Sequence, residues 1–297
     1  MVGPKAKGIL REDHPLFLGT IEGLGTAKLF DWIEASDLVL MVGFDPVEFD
    51  RDWTAPAPIV HLGPLPNDDR YYSSDVELVG SVVDGLQALR AGATPKWSEK
   101  EIASFRGDFR AYVNPKRDGL TPQQVLAELR AALPEDAFLT CDVGYNKSVT
   151  TQCWPVFAPR TFFVSNGLSS MGYGLPAAVA LKLLHPDRPV ACVLGDGGFA
   201  MSMAELETAA RLGLGVIVVV LVDDALSQIK AGQERKKFPV AGTTFGGLDY
   251  RAIAESFAAA GFDVLDRSTY REALAGAARD RPTLVVARID PSAYRLD

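Results

Sequence analysis

The sequence predicts an α/β fold: a parallel, doubly wound sheet preceded by a partial Rossmann-like domain. Three observations carry that expectation. From residue 120 onward, strand-sized apolar runs alternate with segments of helical period across short connections, the order that folds into a parallel sheet covered on both faces. The runs "PVACVLGD" (189–196) and "GVIVVVLVDD" (215–224) are apolar without alternation, as strands buried on both faces are. The first ninety residues show the same pattern with too few strands for a complete doubly wound sheet.

The elements follow in order. "TAKLFDWIEA" (26–35) has helical period and leads into "DLVLMVG" (37–43), a short run closed by glycine. "APIVHLG" (57–63) is a second such run, and "VVDGLQALRAG" (82–92) is a helix stopped by Gly92. Residues 1–92 therefore read as an incomplete α/β unit that begins before residue 1. Residues 93–119 are charged, hold two prolines and show weak periodicity, the character of an interdomain linker. Residues 120–297 form the second domain. Thr121 caps a helix over 121–133 with Pro122 at its first position. Strands follow at 137–142 and 160–166, then a helix at 175–184 and the strand at 189–196. A helix over 201–213, the strand at 215–224, a helix over 270–280 and a strand at 282–289 complete the domain.

Composition narrows the function. The 297 residues hold one large or two ordinary domains, and 47% hydrophobic with 23% charged residues is an ordinary globular balance. A net charge of −8 argues against a nucleic-acid surface. The longest apolar run, "VIVVVLV" (216–222), is strand-sized, far from the roughly 20 residues of a membrane span. The N-terminus lacks the apolar stretch of a secretory signal. Cys141, Cys153 and Cys192 have no zinc-type spacing and form no even set, so buried free thiols in a reducing cytoplasm are expected. His14, His61 and His185 are scattered as well.

Ligands of such sheets bind outside the strand carboxyl ends. Three strands end there in polar turns: "DVGYN" (142–146), "GDGG" (195–198) and "DDALS" (223–227). Asp196 and the Asp223–Asp224 pair are thereby delivered to one rim, where close carboxylates repel unless a cation or proton lies between them. Oxygen donors suit magnesium, which usually keeps phosphate oxygens among its ligands. Gly195, Gly197 and Gly198 let backbone N–H groups approach a phosphate at the start of the 201–213 helix. Taken singly, Gly-Asp-Gly is a tight turn and Asp-Asp a helix cap. Their combination, with twenty-five residues of helix and strand between them, points to a magnesium–diphosphate site. A nicotinamide Rossmann enzyme is disfavoured, because no G-x-G-x-x-G follows the first strand of either domain.

With those motifs the chain resembles the thiamine-diphosphate enzymes of the acetolactate synthase and pyruvate/benzoylformate decarboxylase group. Their cofactor motif opens with Gly-Asp-Gly and closes, after a helix and a strand, in Asn-Asn. "SNGLSSMGYGLPAAVALKL" (165–183) resembles the segment under the cofactor's hinge. "KGILREDHPLFLG" (7–19) with "DLVLMVGFDPVEF" (37–49) resembles the second half of the family's central domain. The resemblance implies Asp196, Asp224 and the carbonyl of Leu226 as magnesium ligands. It sets Val143, Gly144, Tyr145, Asn146, Gly197 and Gly198 against the diphosphate. Met171 becomes the apolar prop that bends the cofactor, although it also reads as core filler. The carbonyl of Ser169 becomes the acceptor for the cofactor's amino group. The bend brings that amino group to the thiazolium C2 proton, and the activated carbon then attacks a 2-oxo acid, which loses carbon dioxide.

Two departures accompany the resemblance. Asp223 stands for the first asparagine, so it either weakens cofactor affinity or turns away as a cap. The aminopyrimidine-binding domain, with its activating glutamate, would precede residue 1. Glu12 and Glu22 match no such motif. A homo-oligomer, or a hetero-oligomer with a chain supplying that domain, is therefore expected. The substrate would be pyruvate or another 2-oxo acid, and neither nucleic acid nor membrane is expected as a partner. The other reading is a truncated module that holds the cofactor without activity.

Overall fold

The computed structural model describes residues 1–45, 55–68, 72–90, 92 and 97–294. Two sheets form, and every strand pairing in them is parallel. The first has the order β1 (Val39–Val42), β2 (Ile59–Gly63), β3 (Val76–Val79). It is flanked by α1 (Thr26–Glu34) and α2 (Val82–Arg90). Phe30 and Ile33 of α1 pack on Met41, Ile59 and Tyr72, a small core of its own. The third strand was not read from the sequence, because "VELV" is short and its side chains are exposed.

The second sheet has six strands in the order β5-β4-β6-β7-β9-β8. They are β4 (Phe138–Cys141), β5 (Phe162–Val164), β6 (Val190–Gly195), β7 (Val216–Val222), β8 (Ala260–Val264) and β9 (Thr283–Arg288). On one face α4 (Pro122–Ala132), α5 (Tyr145–Cys153) and α11 (Arg267–Ala275) cover Val193, Val219, Leu221 and Val285. On the other, α6 (Gly174–Leu184), α7 (Asp196–Ser202), α8 (Glu205–Arg211) and α10 (Tyr250–Ser256) cover Cys192, Val218, Val220 and Val286. Successive residues of β7 thus feed opposite cores, which is why the strand is apolar throughout. Glu128 of α4, itself buried, accepts from Arg271 Nε at 2.6 Å and Arg267 Nε at 2.7 Å, tying α4 to α11.

Two expectations are corrected. Residues 99–113, read as linker, form α3 (Glu99–Val113), opened by a Ser98–Glu101 capping box. Ile102, Phe109 and Val113 recur at spacings of seven and four and are buried, and Phe109 and Val113 join the core built on β4 and β6. Charged residues between them dilute the period. The helix read over 201–213 is two helices, α7 and α8, and α7 starts at Asp196. Gly197 and Gly198 therefore lie inside its first turn, not ahead of it. Among the described residues, no helix is long and apolar enough to cross a membrane.

Candidate functional site

Strand order reverses direction between β4 and β6: β5 lies on one side of β4, while β6 and β7 lie on the other. Such a switch point leaves a crevice outside the carboxyl ends of the strands. Asp142 follows β4, Asp196 follows β6, and Asp223–Asp224 follow β7.

Asp196 joins two of these ends. Its Oδ2 accepts from the Asp224 N–H at 2.6 Å and the Asp223 N–H at 3.2 Å, and its Oδ1 accepts from the Gly197 N–H at 2.8 Å. Burial, and after it the charge of Asp223, pushes the Asp196 carboxyl up to about 6 against the pull of those three donors. A cation at this carboxylate would reverse both effects. The Asp224 side chain is half-exposed, and Arg288 Nη1 lies 3.9 Å from its Oδ2. Asp224 sits at φ +55°, a left-handed conformation sparsely used outside glycine. The following turn is held by an antiparallel partner: Phe245 N–H donates to Asp224 O at 2.9 Å, and Leu226 N–H donates to Thr243 O at 2.8 Å.

Asp223 keeps its charge near Asp196 and binds the start of the next helix. Its Oδ2 accepts from Ser227 Oγ at 2.5 Å, at the first residue of α9 (Ser227–Arg235). This bond joins two side chains, and α9 begins without a side-chain cap on its backbone N–H groups. The Leu226 carbonyl accepts from Lys230 N–H at 2.9 Å as α9 begins, which leaves one lone pair for another donor or ion. Among the described residues no group of three or more His, Cys, Asp or Glu is placed to hold a metal. Two carboxylates, a carbonyl and ligand oxygens would have to complete any coordination sphere here, which is the mixed set that magnesium takes with phosphates.

The glycines of α7 mark close approaches. A Cβ built on Gly197 would lie 2.8 Å from Leu226 Cδ2, 3.3 Å from Phe245 Cζ and 3.4 Å from Met171 Cε. Met171 is thus brought onto the Gly-Asp-Gly turn. It rides on a loop with three left-handed residues, Gly167, Ser169 and Gly172, and Ser169 holds φ +48°. Val143 and Gly144 form the turn into α5, with Gly144 at φ +130°. Tyr145 stacks on Tyr294 at 5.4 Å between ring centres. Asn146 is buried and spends its amide on Asp142 O at 2.8 Å, so its nitrogen serves the turn itself.

Two contributors were not read from the sequence. Asp142 has a fully buried carboxylate that accepts from Val143 N–H at 2.8 Å and Gly172 N–H at 2.9 Å. Its signal in the sequence is an acid closing a buried strand. Phe245 reaches the site through backbone pairing of its segment with Asp224–Leu226, and no local motif announces that. Glu12 pairs with Lys7 at 2.6 Å, and Glu22 pairs with Lys147 of α5 at 3.1 Å. Cys141 and Cys192 are buried free thiols, and burial pushes the Cys141 thiol up to about 12.

Comparison with known proteins identifies the family. Residues 142–287 match the family described as thiamine pyrophosphate enzyme, C-terminal TPP binding domain. Residues 1–89 match thiamine pyrophosphate enzyme, central domain. An acetolactate synthase of Bacillus subtilis (strain 168) is 31% identical over 245 residues, covering 78% of this chain and 43% of the relative. A catabolic acetolactate synthase of Raoultella terrigena is 30% identical over 276 residues, covering 87% and 48%. A putative thiamine pyrophosphate-containing protein, YdaP, of Bacillus subtilis (strain 168) is 33% identical over 269 residues, covering 87% and 46%. The chain spans about half the length of these curated relatives. It belongs to the thiamine pyrophosphate enzymes, of which it carries the central and C-terminal, cofactor-binding domains.

Proposed function

We propose that the chain binds thiamine diphosphate through a magnesium ion at the β4/β6 switch point and serves a 2-oxo acid decarboxylase or carboligase of the acetolactate synthase type. One observation carries the reading: the buried Asp196 carboxylate, itself without an ion pair among the described residues, is hydrogen-bonded to the backbone of Asp223 and Asp224. The two ends of the motif therefore meet at one point. Asp196, Asp224 and the Leu226 carbonyl would hold the metal. The backbone of Val143, Gly144, Gly197 and Gly198 would face the diphosphate, with the first turn of α7 left free of side chains at both glycines. Tyr145 and Asn146 would support that turn from α5. Met171 would press on the cofactor between its rings, and the Ser169 carbonyl would accept from its amino group.

Bound thiamine diphosphate supplies an electron sink for the carbanion left when a 2-oxo acid loses carbon dioxide. This chain's part is to bind, bend and shield it. Pyruvate is the substrate proposed, by analogy with the acetolactate synthases. The aminopyrimidine-binding part, with its activating glutamate, would come from sequence beyond these residues or from another subunit, in a cytoplasmic oligomer. The alternative is a module that holds the cofactor without turnover. Titration calorimetry with thiamine diphosphate and magnesium tests the shared premise: a saturable heat that EDTA removes is expected, and no heat would defeat both readings. Carbon dioxide release from pyruvate then separates them.

A further inference from the structure

Asp142 is an unusual choice for its position. Its side chain is fully buried, and no cation lies within ion-pair distance of it among the described residues. A buried carboxylate without a counter-ion is costly unless hydrogen bonds replace its water. Here they do, and each comes from a different part of the crevice. Oδ1 accepts from Val143 N–H, in the turn before α5. Oδ2 accepts from Gly172 N–H, one residue beyond Met171. The same Oδ2 rests against the first turn of α7, where a Cβ on Gly198 would come within 2.3 Å of it. The main chain of Asp142 is also tied, its N–H donating to Val193 O at 3.0 Å and its carbonyl accepting from Asn146 Nδ2 at 2.8 Å. The carboxylate therefore has no slack.

We infer that Asp142 is a positioning residue, a clamp that fixes the spacing between the Ser169–Met171 loop and the glycine turn of α7. The inference rests on the cofactor reading above. On that reading the ring end of thiamine diphosphate meets the Ser169–Met171 loop, and its diphosphate end meets Gly197 and Gly198. Affinity for a ligand that touches both then depends on how well their separation is preset. Pyrophosphate, which on that reading meets the Val143–Gly144 and Gly197–Gly198 turns but not the Ser169–Met171 loop, does not depend on that separation. Only a carboxylate offers acceptors on both oxygens; an asparagine would face one of the two N–H groups with an NH2.

The test compares two ligands on two proteins. Thiamine diphosphate and inorganic pyrophosphate, each with magnesium, are titrated calorimetrically into the wild-type chain and into Asp142→Asn. The variant is expected to weaken thiamine diphosphate by about tenfold while leaving pyrophosphate within about twofold. Equal weakening of both ligands, or of neither, would overturn the clamp. A general loss of stability lowers the melting temperature without changing the ratio of the two affinities. Wild-type protein that binds neither ligand would instead defeat the cofactor reading, a separate outcome. Should Asp142→Asn fail to fold, hydrogen exchange on the wild-type chain decides: a protected Gly172 amide without ligand supports the clamp, and free exchange there refutes it.

Discussion

Substituting alanine for Gly198 probes the tightest contact in the crevice. The new methyl carbon would stand 2.3 Å from Asp142 Oδ2 and 3.1 Å from its Cγ. That is about 1 Å closer than carbon and oxygen tolerate at a nonbonded minimum of roughly 3.5 Å. The carboxylate cannot withdraw without releasing Val143 or Gly172. Overpacking of this kind costs about 1–3 kcal/mol, and weakening a hydrogen bond to a buried charged acceptor adds about 1.5 kcal/mol. The better helix propensity of alanine returns at most about 1 kcal/mol. The sum is a loss of about 1.5–3.5 kcal/mol, or roughly 3–14 °C in melting temperature for a domain of this size. Urea denaturation and differential scanning calorimetry read it directly. A variant that melts within about 1 °C of wild type would show that Gly198 and Asp142 are not in contact, and the inferred clamp would lose one of its jaws.

Alanine for Gly107, by contrast, should stabilise the chain by about 0.5–1 kcal/mol, because that glycine lies within α3 with nothing within 4 Å of the added carbon; a destabilised variant would contradict the helix found in the supposed linker. Hydrogen bonds from Arg271, and then Arg267, hold Glu128 down at about 2. A depressed acid contributes stability above its ordinary value near 4.5 that is lost as pH falls toward 2. The arginines are more than half exposed, so screening limits the effect to about 1–2 kcal/mol. Urea midpoints measured against pH should fall further below pH 4.5 in wild type than in Glu128→Gln; parallel curves would exclude the contribution. Asp223→Asn keeps an acceptor for Ser227 and removes a charge beside Asp196, so magnesium-dependent cofactor affinity should rise by a few-fold, about 2–5. Calorimetry showing a loss instead would make Asp223 a metal ligand.

Legibility followed burial. The central strands were plain because both faces of β6 and β7 are covered, which demands unbroken apolar sequence. Strand β8 was missed because "AGFDV" lies at the sheet edge with most residues only half-buried. Helix α5 was missed because "YNKSVTTQC" buries Thr150 and Thr151 beside Val149, so polarity does not mark its inner face. In the crevice, the spacing of Asp196 to Asp223–Asp224 was readable because a motif fixes it in the sequence. Asp142 and Phe245 act through contacts made by the fold, with β4 and β6 adjacent and a strap paired to the Asp-Asp turn. No local pattern encodes such contacts.

If Asp196 helps hold a metal that holds a diphosphate, cofactor binding depends on its carboxylate. Thiamine diphosphate is titrated into Asp196→Ala in the presence of magnesium, with circular dichroism verifying that helix content matches wild type. Binding heat should vanish from the variant while wild type retains it. Affinity unchanged by the substitution would remove Asp196 from the metal site.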